Sequence, residues 1–170
     1  MEIIHELDID LQSEINKLRN YLAHTKKIIL INHRRMDGDC FWSLSAFYYL
    51  LKQKWYEVKC INDDESTPES FRFLNNEEIF EKNFDFKWFD AELIISFDVA
   101  SREQLWEIYK NNLDIFNTTT FINIDHHISN NGFWNINIIN TDASSTCEII
   151  WDIIKILGWE KDINERIATF

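Results

Sequence analysis

With 170 residues, 45% of them hydrophobic and 27% charged, the chain has the size and apolar content of one domain with a real core, which excludes a disordered polypeptide. Its formal net charge of −12 argues against a long nucleic-acid duplex as partner, because such binding rests on Lys and Arg at phosphates, yet it admits a small anionic substrate drawn to bound cations. The want of any apolar stretch near the ~20 residues of a membrane span, the acidic start MEIIHELDIDLQSE and three widely spaced cysteines without a CxxC pair (Cys40, Cys60 and Cys147) point to a cytoplasmic protein with free thiols, no leader and no structural zinc.

In chain order, Leu11, Ile15, Leu18 and Leu22 recur every three to four residues, so an amphipathic helix is predicted over about 8–24. Residues 1–24 are read as an N-terminal flank and 25–170 as the main domain. KIILIN predicts a first strand at 27–32, FWSLSAFYYLLKQK a helix over 41–54, and YEVKCI a second strand at 56–61. The next stretch holds the only proline, Pro68, and reads as a surface loop leading into a short helix begun by Thr67 and Pro68. A weak segment near Phe84–Phe89 precedes strand LIISF at 93–97 and a helix over 101–111 with Ser101 as N-cap. TTFINI gives a strand at 119–124, and WNINII alternates like an edge strand at 134–139. ASSTCEIIWDIIKILG reads as a helix ended by Gly158, and KDINERIATF starts another. Strands alternating with helices predict a three-layer α/β fold, a mostly parallel sheet with helices on both faces. In such sheets ligands bind at the carboxyl ends of the strands.

Three clusters of chemically capable residues fall at those ends. His33, Asp37 and Asp39 follow the first strand, in a connection that Gly38 leaves free to bend. Hard divalent ions such as Mn²⁺ or Mg²⁺ favour carboxylates, and Mn²⁺ also accepts imidazole; a polar turn is the competing reading. Asp98 follows LIISF, where a helix-cap carboxylate is the plain alternative and a bridge between two ions the functional one. Asp125, His126 and His127 follow TTFINI, and imidazoles and carboxylates seldom bury there without partners. One histidine would meet a metal, one a phosphoryl oxygen, and Asp125 would orient a histidine. Arg34 and Arg35 could clamp a phosphate or be a solvated loop pair. Asp142, Ser144 and Ser145 read as caps of the following helix, with Ser144, Ser145 or Thr146 as alternative phosphate contacts. His5 and His24 stand outside every cluster and read as surface residues.

The set His33-x3-Asp37-x-Asp39, Asp98 and Asp125-His126-His127 resembles the catalytic domain of the DHH phosphoesterase superfamily over about residues 25–170. NHRRMDGDC and DASSTCEIIWDII most resemble its bacterial nanoRNase/pAp-phosphatase branch. The resemblance implies two Mn²⁺ ions held by His33, Asp37, Asp39, Asp98 and His126, with Asp98 bridging and His127 facing the phosphate. It implies hydrolysis of short single-stranded oligonucleotides or phosphorylated nucleotides by metal-activated water, with no covalent nucleophile. RecJ-type exonuclease, cyclic dinucleotide phosphodiesterase and manganese pyrophosphatase activities belong to the same superfamily, and an inactive nucleotide- or metal-binding module is the alternative from another class. An oligomer is compatible with all of them.

Three departures from the family pattern qualify this picture. A further metal-binding aspartate is expected soon after INERIATF, and a small substrate-gripping domain beyond it; both lie outside this chain. The family has glycine where Trp42 stands, and Trp55 occupies a helix-to-strand junction where a left-handed glycine is expected. With 3 glycines against 7 tryptophans, the substitutions raise the expectation that UGA codons for glycine have been translated as tryptophan, real divergence being the alternative.

Overall fold

The apolar runs pair into one sheet whose register decides where the chemistry emerges. The computed structural model describes residues 9–64, 67–73 and 79–170, which leaves His5 outside the described residues. Its strands are β1 (Lys27–Asn32), β2 (Glu57–Ile61), β3 (Leu93–Phe97), β4 (Thr120–Asp125) and β5 (Ile136–Ile139). They run parallel throughout in the order β2-β1-β3-β4-β5. Asn32 lies opposite Phe97, and Phe97 opposite Ile124. The residues that follow each of these, His33, Asp98 and Asp125, therefore stand side by side at the carboxyl edge of the sheet, Asp125 as the last residue of β4.

Continuous apolar runs without alternation fit strands covered on both faces, and Ile28 to Ile31 are fully buried. On one face α1 (Ile9–His24), α2 (Gly38–Gln53), α6 (Thr146–Leu157) and α7 (Glu165–Ala168) pack over Ile28, Leu30, Ile95 and Ile122. On the other, α3 (Phe86–Phe89), α4 (Trp106–Asn111) and α5 (Leu113–Thr118) cover Ile29, Ile31, Ile94 and Phe121. The predicted stripe of α1 is buried whole, with Ile15 and Leu18 at 0% exposure. The chain passes from β1 through α2 to β2, then crosses back by the opposite face to β3. Its direction of winding thus reverses between β1 and β3, which opens a crevice at their carboxyl ends. No described helix is long and apolar enough to cross a membrane.

The structure corrects several expected elements. The single helix predicted over 101–111 is a 3₁₀ turn, Arg102–Leu105, followed by α4. The break falls at Trp106, with φ 43° and ψ −122°. Ser101 caps as expected, forming a capping box with Gln104. The short α5 was not anticipated, the helix expected at Pro68 is a 3₁₀ turn over Glu69–Phe71, and the C-terminal helix is the short α7, capped by Asn164.

Trp55 sits where a glycine belongs. Its N–H donates to Lys52 O and that of Tyr56 to Leu51 O, the paired bonds that close a helix through a left-handed residue. The same pattern closes α6, where Gly158 donates to Lys155 O and Trp159 to Ile154 O. Gly158 has φ 72° and Trp55 φ 67°; only the glycine adopts it without a Cβ penalty. The Trp55 side chain, 88% exposed, offers little packing in return. Trp42 is accommodated differently. Its indole lies against Gly38, where a Cβ would fall 3.1 Å from its ring carbons, and its Nε1 is buried without a hydrogen-bond partner among the described residues.

Trp55→Gly is expected to raise stability by about 1 kcal/mol, read as a higher urea midpoint at unchanged slope. An unchanged or lower midpoint would show that the left-handed tryptophan carries no strain here. Reading codons 42 and 55 tests the recoding expectation, and UGG at both would end it.

Candidate metal centre

The loop after β1 is shaped by side chains that fold it back on itself. Asn62, at the end of β2 and 1% exposed, donates to Asn32 Oδ1 at 2.5 Å and to His33 O at 2.8 Å. The Arg35 N–H donates to Asp64 Oδ2 at 2.7 Å, and Met36 turns inward to 5% exposure. His33 Nδ1 donates to Arg34 O at 2.9 Å, so Nε2 carries the lone pair in the neutral ring and an N–H in the imidazolium. That Nε2 lies 3.7 Å from Asp98 Oδ2. Asp37 is the N-cap of α2, its Oδ1 accepting from Cys40 N at 3.1 Å. Asp39 reaches across to α6, where Oδ2 accepts from Thr146 N at 2.7 Å and Oδ1 from Cys147 N at 3.0 Å.

Asp98 is the residue these loops share. It is 2% exposed and left-handed, with φ 60°, a conformation that costs of order 1–3 kcal/mol and persists only where its surroundings impose it. They do so here. Asp98 N donates to Ile124 O at 2.9 Å, and the next carbonyl, Val99 O, accepts from Asn123 at 3.0 Å and from Asn130 at 3.1 Å. Thr146 Oγ1 donates to Asp98 Oδ1 at 3.1 Å.

The two histidines after β4 are held in different ways. His126 Nδ1 faces Ala143 O at 3.3 Å, and its Nε2 points between Asp39 Oδ2 at 3.5 Å and Asp98 Oδ1 at 3.7 Å. His127 Nδ1 is 2.7 Å from Asp125 Oδ1, so its Nε2 faces away from that carboxylate. Asp125, fully buried, also accepts from Asn130 at 2.6 Å.

The charges reinforce each other. Burial opposes the charged form of Asp98, but the hydrogen bond from His33, the nearby His127 and the Thr146 hydroxyl outweigh it and hold the carboxyl below its usual range. Burial likewise opposes protonation of His33, and Asp98 overcomes it, so the imidazole is raised. His127 is raised through Asp125 against its own burial. Among the described residues two donor groups have their ligand atoms within 4.8 Å of one another, His33 with Cys40 and Asp98, and Asp98 with His126 and His127. The Cys40 thiol apart, these oxygen and imidazole donors suit a divalent ion such as Mn²⁺. Histidines whose Nδ1–H is held by a carbonyl present Nε2 in the manner of metal ligands. The residues present therefore fit a divalent cation.

Other expected residues lie elsewhere in this arrangement. Arg34 and Arg35 are exposed, and the Arg34 guanidinium rests 5.4 Å from the Trp106 ring. Ser145 caps α6 by accepting from Glu148 N, and Ser144 Oγ donates to Glu148 Oε2, so both hydroxyls serve the helix. Asp142 is not the cap; its N–H is taken by Asn140, because the chain turns once more before α6 begins. The roles of Thr146, Asn123 and Asn130 in holding Asp98 and Asp125 were not read from sequence. An asparagine three residues past His127 was their one visible signal.

Comparison with known proteins adds an independent line. The profile described as DHH family, N-terminal domain, matches residues 27–170. The bifunctional oligoribonuclease and PAP phosphatase NrnA of Mycoplasma genitalium is 25% identical over 153 residues, which cover 87% of this chain and 45% of the relative. The protein of the same name from Thermus thermophilus is 25% identical over 144 residues, 84% of this chain and 41% of the relative. The chain thus spans less than half the length of these relatives. An exopolyphosphatase-related protein from Bacteroides fragilis shares the fold at a TM-score of 0.80 and 22% identity, over 92% of this chain and 47% of that one. Exonuclease RecJ bound to manganese matches at 0.52 and 10%, over 91% and 39%.

The pKa directions set a pH dependence for the metal-free chain. The raised imidazoles stabilise it fully below their ordinary 6.5, and that contribution is lost as pH rises through their higher folded values. The lowered Asp98 contributes above its ordinary 3.8 and loses that contribution as pH falls through its folded value. With chelator, the melting temperature is expected to fall between about pH 6 and about pH 8. With Mn²⁺, which competes with protons for imidazole, the stabilisation by metal is expected to grow over the same interval. Thermal unfolding under both conditions checks this, and a metal effect that shrinks with rising pH would contradict it.

Proposed function

The chain belongs to the DHH family, with residues 27–170 forming its N-terminal domain, and from that premise we propose that it is the catalytic part of a two-metal phosphoesterase. The substrate class is short single-stranded oligonucleotides or 3′-phosphoadenosine-type nucleotides, and the ions are Mn²⁺ or, less favoured by the imidazoles, Mg²⁺. One observation carries the reading: Asp98 is common to both donor groups, with His33 Nε2 on one of its oxygens and His126 Nε2 on the other. The activities in the names of the two NrnA relatives and the manganese in the RecJ structure support the substrate class and the metal.

In this reading His33 and Asp37 serve the ion on one side of Asp98, and Asp39 and His126 the ion on the other. When bound, such a pair would acidify a water toward neutral pKa and supply positive charge at the phosphoryl oxygens. The chain's own residues set the rest. Asp125 and Asn130 hold His127 so that its Nε2 is free to meet a phosphoryl oxygen. Thr146, Asn123 and Asn130 fix Asp98 and the peptide after it, so no reorganisation accompanies the reaction. We assign 25–170 as the catalytic domain with 1–24 as its flank, and a cytoplasmic location agrees with three free cysteines.

Trp42, pressed on Gly38 beside the acidic loop, favours a second reading, a metal- or nucleotide-binding module without turnover. Mn²⁺ titration by calorimetry, together with hydrolysis of a dinucleotide and of pAp, separates the two. Turnover that disappears in Asp98→Ala supports the phosphoesterase, and full retention in that variant would sink the bridging role. Tight Mn²⁺ binding with no turnover of any phosphoester would leave the binding module.

Thr146→Val is expected to lower Mn²⁺ affinity about 10–100-fold, the usual cost of losing a group that orients a ligand. A change below about threefold would show that the hydroxyl does not orient Asp98.

A further inference from the structure

We propose that Cys40 is an additional donor at the His33–Asp98 end of the site, one that engages thiophilic ions such as Zn²⁺ and Cd²⁺ and so makes the site discriminate between metals. The inference rests on the ion site proposed above and adds a residue for which a hard-metal reading has no use. Its basis is placement. Cys40 lies in the first turn of α2 at 0% exposure, and its Sγ, a ring nitrogen of His33 and an oxygen of Asp98 lie within 4.8 Å of one another.

A tetrahedral site with sulfur at ~2.3 Å and nitrogen and oxygen at ~2.0–2.2 Å has ligand-to-ligand edges of about 3.4–3.6 Å. The His33 Nε2 to Asp98 Oδ2 distance is already 3.7 Å. His33 is also set in the required tautomer by Arg34 O. The nitrogen and the oxygen thus stand close to the spacing of a zinc site, with the sulfur within 4.8 Å of a ligand atom of each residue. A buried cysteine is most often a small apolar side chain; Cys40 and Cys60 both belong to the core cluster, but of the two only Cys40 has metal-ligating neighbours in a donor group. Cys147 directs its sulfur at Asp39 O, 3.7 Å away, and belongs to neither donor group.

Softness then divides the metals. Mn²⁺ and Mg²⁺ favour oxygen, whereas thiolate selects Zn²⁺ and its softer congener Cd²⁺. Binding such an ion forms one metal–sulfur bond and releases the thiol proton to solvent, with no oxidation or reduction. The added ligand strengthens Zn²⁺ or Cd²⁺ at the same place where Mn²⁺ would bind, so the soft ions compete with the hard one.

The test is a Cd²⁺ titration of the metal-free full chain, followed through the ultraviolet sulfur-to-cadmium charge-transfer band. The expected result is a band that saturates with one ion, bleaches on adding excess Mn²⁺, persists in Cys147→Ser and Cys60→Ser, and is lost in Cys40→Ser and Cys40→Ala. The ratio of Cd²⁺ to Mn²⁺ affinity should fall about 10–100-fold in the two Cys40 variants. Circular dichroism checks that these are folded, and the wild-type spectrum with Mn²⁺ competition needs no variant. Calorimetric Cd²⁺ binding without the band, or a band that survives loss of Cys40, overturns the role of Cys40 and leaves the ion site standing. Failure of both Cd²⁺ and Mn²⁺ to bind overturns the ion site and this inference together.

Discussion

A carboxylate taken out of water at the end of β3 has to be compensated, because an unpaired buried charge is among the costliest features a fold can contain. Asp98 poses that requirement at the crevice between β1 and β3. His33 answers it from the loop after β1, His126 and His127 from the loop after β4, and Thr146 from the start of α6. The four come from three separate elements, and the parallel register is what brings the ends of β1, β3 and β4 to one level. The sheet's geometry and the site's electrostatics are in this sense one arrangement.

The supports around Asp98 are polar, with Ser96, Asn123 and Thr146 buried and Asn130 half-buried, and they bond one another. Ser96 Oγ donates to Asn123 Oδ1 at 2.6 Å while Asn123 Nδ2 holds Val99 O. Asn130 joins the same carbonyl to Asp125. A network of this type raises the penalty for any alternative placement of its members. Cationic side chains near the strand ends are drawn instead to aromatic rings, Arg34 to Trp106 and Arg102 to Trp134 at 4.8 Å. In a chain of net charge −12, whose strand-end carboxylates repel anions, the proposed phosphate substrate would be drawn mainly by the cations proposed to bind there.

Much of this was legible in the residues. Ile28 to Ile31 and Leu93 to Phe97 announce doubly covered strands because they lack alternation, and Asp98 and Asp125 announce chemistry because apolar runs deliver them. The helix boundaries read well where a cap is local, as at Ser101 and Gly158. What stayed hidden was decided over distance. Nothing beside Thr146 indicates that its hydroxyl meets a carboxylate 48 positions earlier, and Asn123, inside a strand, reads as an interruption until Val99 is seen above it. The break at Trp106 has no local signal, because tryptophan gives no warning of a backbone conformation that suits glycine. Trp55 was visible only because its neighbours spell out a helix end.

The bonds from Asp39 to the first amides of α6 tie together distant parts of the chain. They join residues 107 and 108 positions apart, a loop whose closure costs more entropy than that of a shorter one. The crevice is therefore a stitch between the first and last thirds of the chain: an ion bound as proposed would tighten it, and so would stabilise the fold as well as serve the site.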